Sequence, residues 1–129
     1  MSAGNLSQRN RIGRSNQCRV CDQSVGRDAE LAEIYTDWLK DHPFDNGGGG
    51  WAAEPWHQEE MPVTEEIAVA ARKKSDKALF IIGRTAGEDK DYADEEGSYR
   101  LTAQELENLH VVTEQFDQVA VLLNVSNII

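Results

Sequence analysis

Lys77-Ala78-Leu79-Phe80-Ile81-Ile82-Gly83 is the stretch on which the fold turns. Its continuous apolar run suits a strand buried on both faces, the situation of strands in parallel sheets whose two sides are covered by helices. Downstream, Val119 to Val125 forms a second apolar strand. Between the two lies Thr102-x-x-Glu105, a capping box in which the threonine hydroxyl and the glutamate carboxylate satisfy the free amides of a first helical turn. The helix it opens is expected to bury Leu106, Leu109, Val112 and Phe116, with Thr113 interrupting the apolar stripe.

Upstream of Lys77, the segment from Thr64 to Lys74 carries acids at its start and Arg72, Lys73 and Lys74 at its end, the polarity that the helix dipole favours. Residues 44–63 contain two prolines and four consecutive glycines and read as an irregular connection. Before them, Leu31, Ile34, Tyr35, Trp38 and Leu39 follow helical spacing, with Asp28 as an N-cap and His42-Pro43 as the stop. Helix, strand, long loop, helix, strand predicts an α/β class with a parallel sheet. Two strands cannot make a covered sheet with a core of its own. The sequence also ends at Asn127-Ile128-Ile129, directly after the second strand and with no closing helix. The expectation is a partial α/β domain with a parallel sheet over 28–129.

Residues 1–27 are different in kind. They hold Arg9, Arg11, Arg14, Arg19 and Arg27 against the single acid Asp22, and they lack hydrophobic periodicity. They read as a disordered basic tail. The whole chain of 129 residues nevertheless has a formal net charge of −10, which argues against nucleic acid and anionic membranes as partners. No apolar run approaches the roughly 18–20 residues that span a bilayer, and the start has no apolar signal region. A cytoplasmic setting is expected; the Arg-rich, acid-poor start has only a loose likeness to an organelle transit segment. Cys18 and Cys21 form a C-x-x-C without a second ligand pair, and read as two free thiols.

The 18 residues from Arg84 to Leu101 are the outstanding feature. Connections in compact α/β domains run about 2–6 residues, and longer ordered ones are often functional. This one leaves the carboxyl end of a strand, where open α/β sheets bind ligands. Gly83-Arg84-Thr85-Ala86-Gly87-Glu88-Asp89-Lys90-Asp91 sets small residues among two cations and three acids. Gly87 allows a sharp turn beside Glu88. Such a carboxylic acid serves as a general acid if burial raises its pKa toward the working pH; the alternative is a solvated, charge-balanced loop.

Residues 78–91 resemble the sandwich domain of family 3 glycoside hydrolases, especially the bacterial β-glucosidase branch. Gly97-Ser98-Tyr99-Arg100-Leu101-Thr102 and 121–129 look like the next two blocks of that domain, and 51–62 is similar to the stretch before it. The four blocks occur in order over roughly residues 30–129; the tail at 1–27 does not resemble the family. The resemblance implies a retaining mechanism at a shared site, in which an aspartate nucleophile comes from a (β/α) barrel domain and a glutamate acid/base from a sandwich-domain loop. The matching position for the acid/base is Glu88. The sequel Asp89-Lys90-Asp91-Tyr92 departs from the family's usual Gly-Tyr-Asp-Arg-like run, so Glu95 and Glu96 stay open as alternatives. Arg84 would orient a sugar hydroxyl or the carboxylate, and Asp89 would contact the sugar. No barrel block appears in these residues, so the expected partners are a carbohydrate substrate, a β-linked glucoside or related sugar, and the missing barrel domain. Hydrolysis by the isolated chain is expected to be little or none.

Trp51 and Trp56, with His57, offer aromatic faces for a sugar ring or else cover the first strand. Gly47 to Gly50 lacks the Gly-Lys-Ser/Thr of a phosphate cradle and reads as a hinge. His42, His57 and His110 have no ligand spacing, so no metal and no cofactor is expected. Against the glycosidase stands a second class of function, a non-catalytic α/β carbohydrate-binding or interaction module.

Overall fold

The computed structural model describes residues 18–19, 29–50, 52–85, 91 and 93–125. Among them the chain forms β1 (Cys18–Arg19), α1 (Ala29–Asp41), α2 (Glu65–Arg72), β2 (Lys77–Gly83), α3 (Ala103–Gln115) and β3 (Gln118–Asn124). The strand order is β1-β2-β3. β2 and β3 are parallel, with Ala78 opposite Val119, Phe80 opposite Val121 and Ile82 opposite Leu123. The α/β class and the parallel pair are as expected, and β2 has the expected limits; β3 begins and ends one residue early.

Two helix starts show why these segments fold locally. Thr64 caps α2 and accepts from the Ile67 amide. Thr102 caps α3 through the complete capping box with Glu105. Asp28, expected to cap α1, lies outside the described residues, and α1 ends at Asp41 with the His42 amide donating to the Trp38 carbonyl.

One core forms between α2, α3 and a single face of the sheet. It comprises Val63, Ala68, Ala71, Ala78, Phe80, Ile82, Val112 and Phe116, with Ile67, Leu109 and Val119 packed against it. Alternation along β2 puts Ala78, Phe80 and Ile82 on the closed face, whereas Leu79 and Ile81 are half-buried, so the strand is not equally covered on both sides. Asn108 pins the connection onto this core. Its Oδ1 accepts from the Val63 amide at 2.8 Å and its Nδ2 donates to the Met61 carbonyl at 3.0 Å.

Three expectations need correcting. Leu106 is not core but half-exposed: Val112 and Phe116 are buried as expected, but the first turns of α3 present Glu105 and Asn108 to the core, a shift of one residue there. Thr113 lies off the stripe, where its hydroxyl donates to the His110 carbonyl. The basic tail is not wholly without structure, since Cys18 and Arg19 pair antiparallel with Phe80 and Leu79. The edge of β2 opposite β3 offers unpaired backbone groups to any extended segment, whatever its hydrophobicity. Cys21 lies outside the described residues.

The glycine run of the connection forms a tight turn. Asp45 and Asn46 side chains accept from the Gly47 and Gly48 amides at 2.7 and 3.0 Å, and the Gly49 amide donates to the Asn46 carbonyl. Gly47, at φ +62°, could not carry a Cβ without overlapping the Ala53 carbonyl.

Candidate active site

Arg84 is the first residue beyond β2, and its side chain is fully buried. A guanidinium presents five N–H donors in a fixed fork, and burying it unpaired would be prohibitive. All five are matched. Nη1 and Nη2 reach the two oxygens of Glu105 at 2.6 and 2.9 Å, a two-pronged pair. Nη1 also donates to the Gly83 carbonyl at 2.8 Å, Nε to the Ser98 carbonyl at 3.0 Å, and Nη2 to the Arg100 carbonyl at 3.3 Å. No donor of Arg84 is left for a sugar hydroxyl in this arrangement; its fork holds the two ends of the 84–101 loop together.

The returning limb of that loop is organised by its own backbone. The Gly97 amide donates to the Arg100 carbonyl at 2.8 Å, the Arg100 amide to the Glu95 carbonyl at 3.0 Å, and the Tyr99 amide to the Ala93 carbonyl at 3.2 Å. Ser98, entirely buried, accepts from the Ala93 amide through its hydroxyl at 3.0 Å. Arg100 closes the turn from outside, with Nε 3.1 Å from Asp94 Oδ1 and Nη2 donating to the Asp94 carbonyl. Gly97, at φ +76°, lies against the His57 ring so closely that a Cβ there would overlap it. On the outgoing limb, the Thr85 amide donates to the Trp56 carbonyl at 2.7 Å.

The structure therefore brings Trp56, His57, Arg84 and the 93–100 turn together at the carboxyl end of β2. Trp56 is half-buried, and Glu95 and Glu96 are exposed on the turn. Trp51, Glu88 and Asp89 lie outside the described residues. A depression of about 400 Å³ opens nearby, lined by Trp38, His42, His57, Glu59, Pro62 and Thr102 among others. Its wall is closed by its own contacts. Trp38 stacks on His42 at 4.2 Å between ring centroids, and His42 Nδ1 lies 2.8 Å from Glu59 Oε2. Of its lining, His57 and Thr102 belong to the loop's surroundings, His57 against Gly97 and Thr102 through its amide on Glu105. Among the described residues no group of three His, Cys, Asp or Glu could hold a metal ion.

The sequence singled out Arg84 and, separately, Glu105 as part of a cap, but not their pairing. The signal available was a cation directly after a buried strand, which requires a carboxylate partner; it does not say that the partner stands 21 residues on. Ser98 and Asn108 carried no local signal at all.

A β-glucosidase of Ruminococcus albus is 45% identical over 100 residues, which is 78% of this chain and 10% of that protein. The crystal structure of a β-glucosidase from Paenibacillus barengoltzii superposes with a TM-score of 0.74 at 64% identity, covering 79% of this chain and 11% of that one. The chain is thus similar to one segment of each of these two β-glucosidases. It spans about a tenth of the length of either relative. No protein-family profile matches it. Among the described residues no helix is long and apolar enough to cross a membrane.

Proposed function

We propose that these residues are the part of a retaining, exo-acting β-glucosidase of glycoside hydrolase family 3 that supplies the acid/base, and that Glu88 is that residue. The observation that carries this reading is the clamped loop. An 18-residue excursion at the carboxyl end of β2 has both ends held by one buried guanidinium, within a chain 45% and 64% identical to segments of two β-glucosidases. A carboxyl group that must meet a second carboxylate from elsewhere in the polypeptide needs such a fixed mount, because retaining hydrolysis sets the two about 5–5.5 Å apart.

In the first step the protonated Glu88 gives its proton to the glycosidic oxygen as the C1–O bond breaks. The nucleophile, an aspartate of a barrel domain outside this sequence, forms the new bond to C1. In the second step the Glu88 carboxylate takes a proton from water, whose oxygen displaces the aspartate and frees the sugar. Asp89, Trp51 and Trp56 contact the terminal sugar, a β-linked glucoside or a related ring. Arg84 acts from beneath, by holding the loop.

The test is Glu88→Gln in the full-length enzyme. With substrates whose leaving group needs protonation, kcat/KM should fall by about 10²–10⁴-fold. Added azide should restore part of the turnover of activated substrates by attacking the glycosyl-enzyme. Unchanged kinetics would remove Glu88 from the chemistry and leave the non-catalytic carbohydrate-binding or interaction module as the better account.

A further inference from the structure

A buried ion pair is a weak source of net stability, since desolvation of both charges offsets most of their attraction. What this pair does supply is geometry. Both oxygens of Glu105 are engaged by Arg84, and Oε2 also accepts from the Thr102 amide at 2.8 Å, so the carboxylate is fixed to the first turn of α3. Glu105 is 2% exposed and cannot swing to another partner without moving the helix start. Through Arg84 it then governs two carbonyls, those of Ser98 and Arg100, on the limb of the loop that returns from the proposed acid/base. The spacing between the outgoing limb, which leaves β2 at Arg84, and the returning limb is thereby tied to α3 and not to the loop's own exposed residues.

We infer that Glu105 is a positioning residue for glycosidic bond cleavage: acting through Arg84, it sets the separation of the two limbs of the acid/base loop. This rests on the assignment of the acid/base to that loop. Glu105 touches no substrate. Its effect falls on the protonation of the leaving group, because that step depends most steeply on where the acid stands.

The experiment compares Glu105→Gln with wild type in the full-length enzyme, using an alkyl β-glucoside and 2,4-dinitrophenyl β-glucoside. Glutamine keeps the acceptor for the Thr102 amide and one acceptor for Arg84 but loses the second charged bond. The expected result is a loss of about 10–100-fold in kcat/KM for the alkyl glucoside. The dinitrophenyl glucoside, whose phenolate departs without a proton, should change by about twofold or less with KM intact. The alkaline limb of the alkyl-glucoside pH profile should move as well. An equal loss on both substrates, in proportion to the active sites titrated by a slow-turnover 2-fluoro glycoside, would overturn the inference, as would no loss on either. If Glu105→Gln does not fold, Arg84→Lys takes its place, since it keeps a cation opposite Glu105 but loses the fork that reaches the Ser98 and Arg100 carbonyls. A leaving-group-dependent loss there supports the inference and a uniform one ends it. Glu88→Gln run alongside separates the two claims. If Glu88→Gln spares the alkyl glucoside, the acid/base assignment fails. If it does not, and Glu105→Gln is uniform, only the positioning role fails.

Discussion

β2 and β3 are two apolar strands of seven residues, paired in parallel and in register, yet their surroundings are opposite. Phe80 and Ile82 of β2 are 3% and 2% exposed; their partners Val121 and Leu123, on the same face of the sheet, are 47% and 48% exposed. Adjacent strands stand only ~4.8 Å apart, so the hydrophobic core ends within one strand spacing. Composition does not explain the difference. Coverage does: α2 and α3 close over β2 through Ala68, Ala71, Val112 and Phe116, and at β3 only Val119 reaches that cluster. An apolar strand is thus not by itself a buried one: its burial depends on which elements pack over it.

The sharpest way to break this comparison is to truncate both members of a cross-strand pair. Phe80→Ala should cost about 3–5 kcal/mol, the usual range for emptying a packed aromatic site. Val121→Ala, with half its surface already in water, should cost less than about 1 kcal/mol by the area it has left to lose. Urea unfolding of the two variants gives both numbers. Parity between the two variants would mean the core reaches β3 after all.

Next in size is the fastening of the cover itself. Asn108 sits in the middle of the α3 stripe, nearly fully buried, and its side chain joins α3 to Met61 and Val63. Asn108→Ala leaves the Val63 amide without that acceptor, and an unsatisfied buried donor costs about 1–3 kcal/mol. Amide hydrogen exchange should locate the loss at Val63 and the start of α2. Protection that stays unchanged at Val63 would show that the connection is held by packing alone.

These cases also mark what was legible in the sequence. The limits of β2, the capping box at Thr102 and the parallel pairing came from local signals: an unbroken apolar run, a four-residue cap pattern and an alternation of elements. Polar burial was not legible, because Arg84, Ser98, Glu105 and Asn108 are buried only by virtue of partners 14 to 47 residues distant. Leu106 illustrates the same limit in reverse. Its helical spacing fits an apolar stripe as well as Glu105 does not, yet the need to pair Arg84 turns the helix so that the carboxylate goes inward. The pairing of Cys18–Arg19 with β2 had no pattern to announce it, since backbone pairing at a sheet edge demands no particular side chain. For the candidate site, the loop was visible by length and its Gly-Glu segment by resemblance, but not the clamp that fixes its ends.

The smallest effect belongs to the exposed end of the covering layer. Glu66, in the first turn of α2, has its carboxyl held below the ordinary glutamate pKa, first by its own backbone N–H and then by the Thr64 hydroxyl, against the opposing influence of desolvation. A folded-state pKa lower than the unfolded one means that the ionised group stabilises the fold above the unfolded pKa. That contribution is lost as the pH falls through the lowered folded value. Glu66→Gln should therefore melt slightly below wild type at neutral pH, and the gap should close in acid, across the window that runs downward from the ordinary glutamate range. Thermal melts over a pH series measure it. A gap that stays constant into acid would assign the difference to the hydrogen bonds of the side chain, and the cover over β2 would then owe nothing to the charge of that carboxylate.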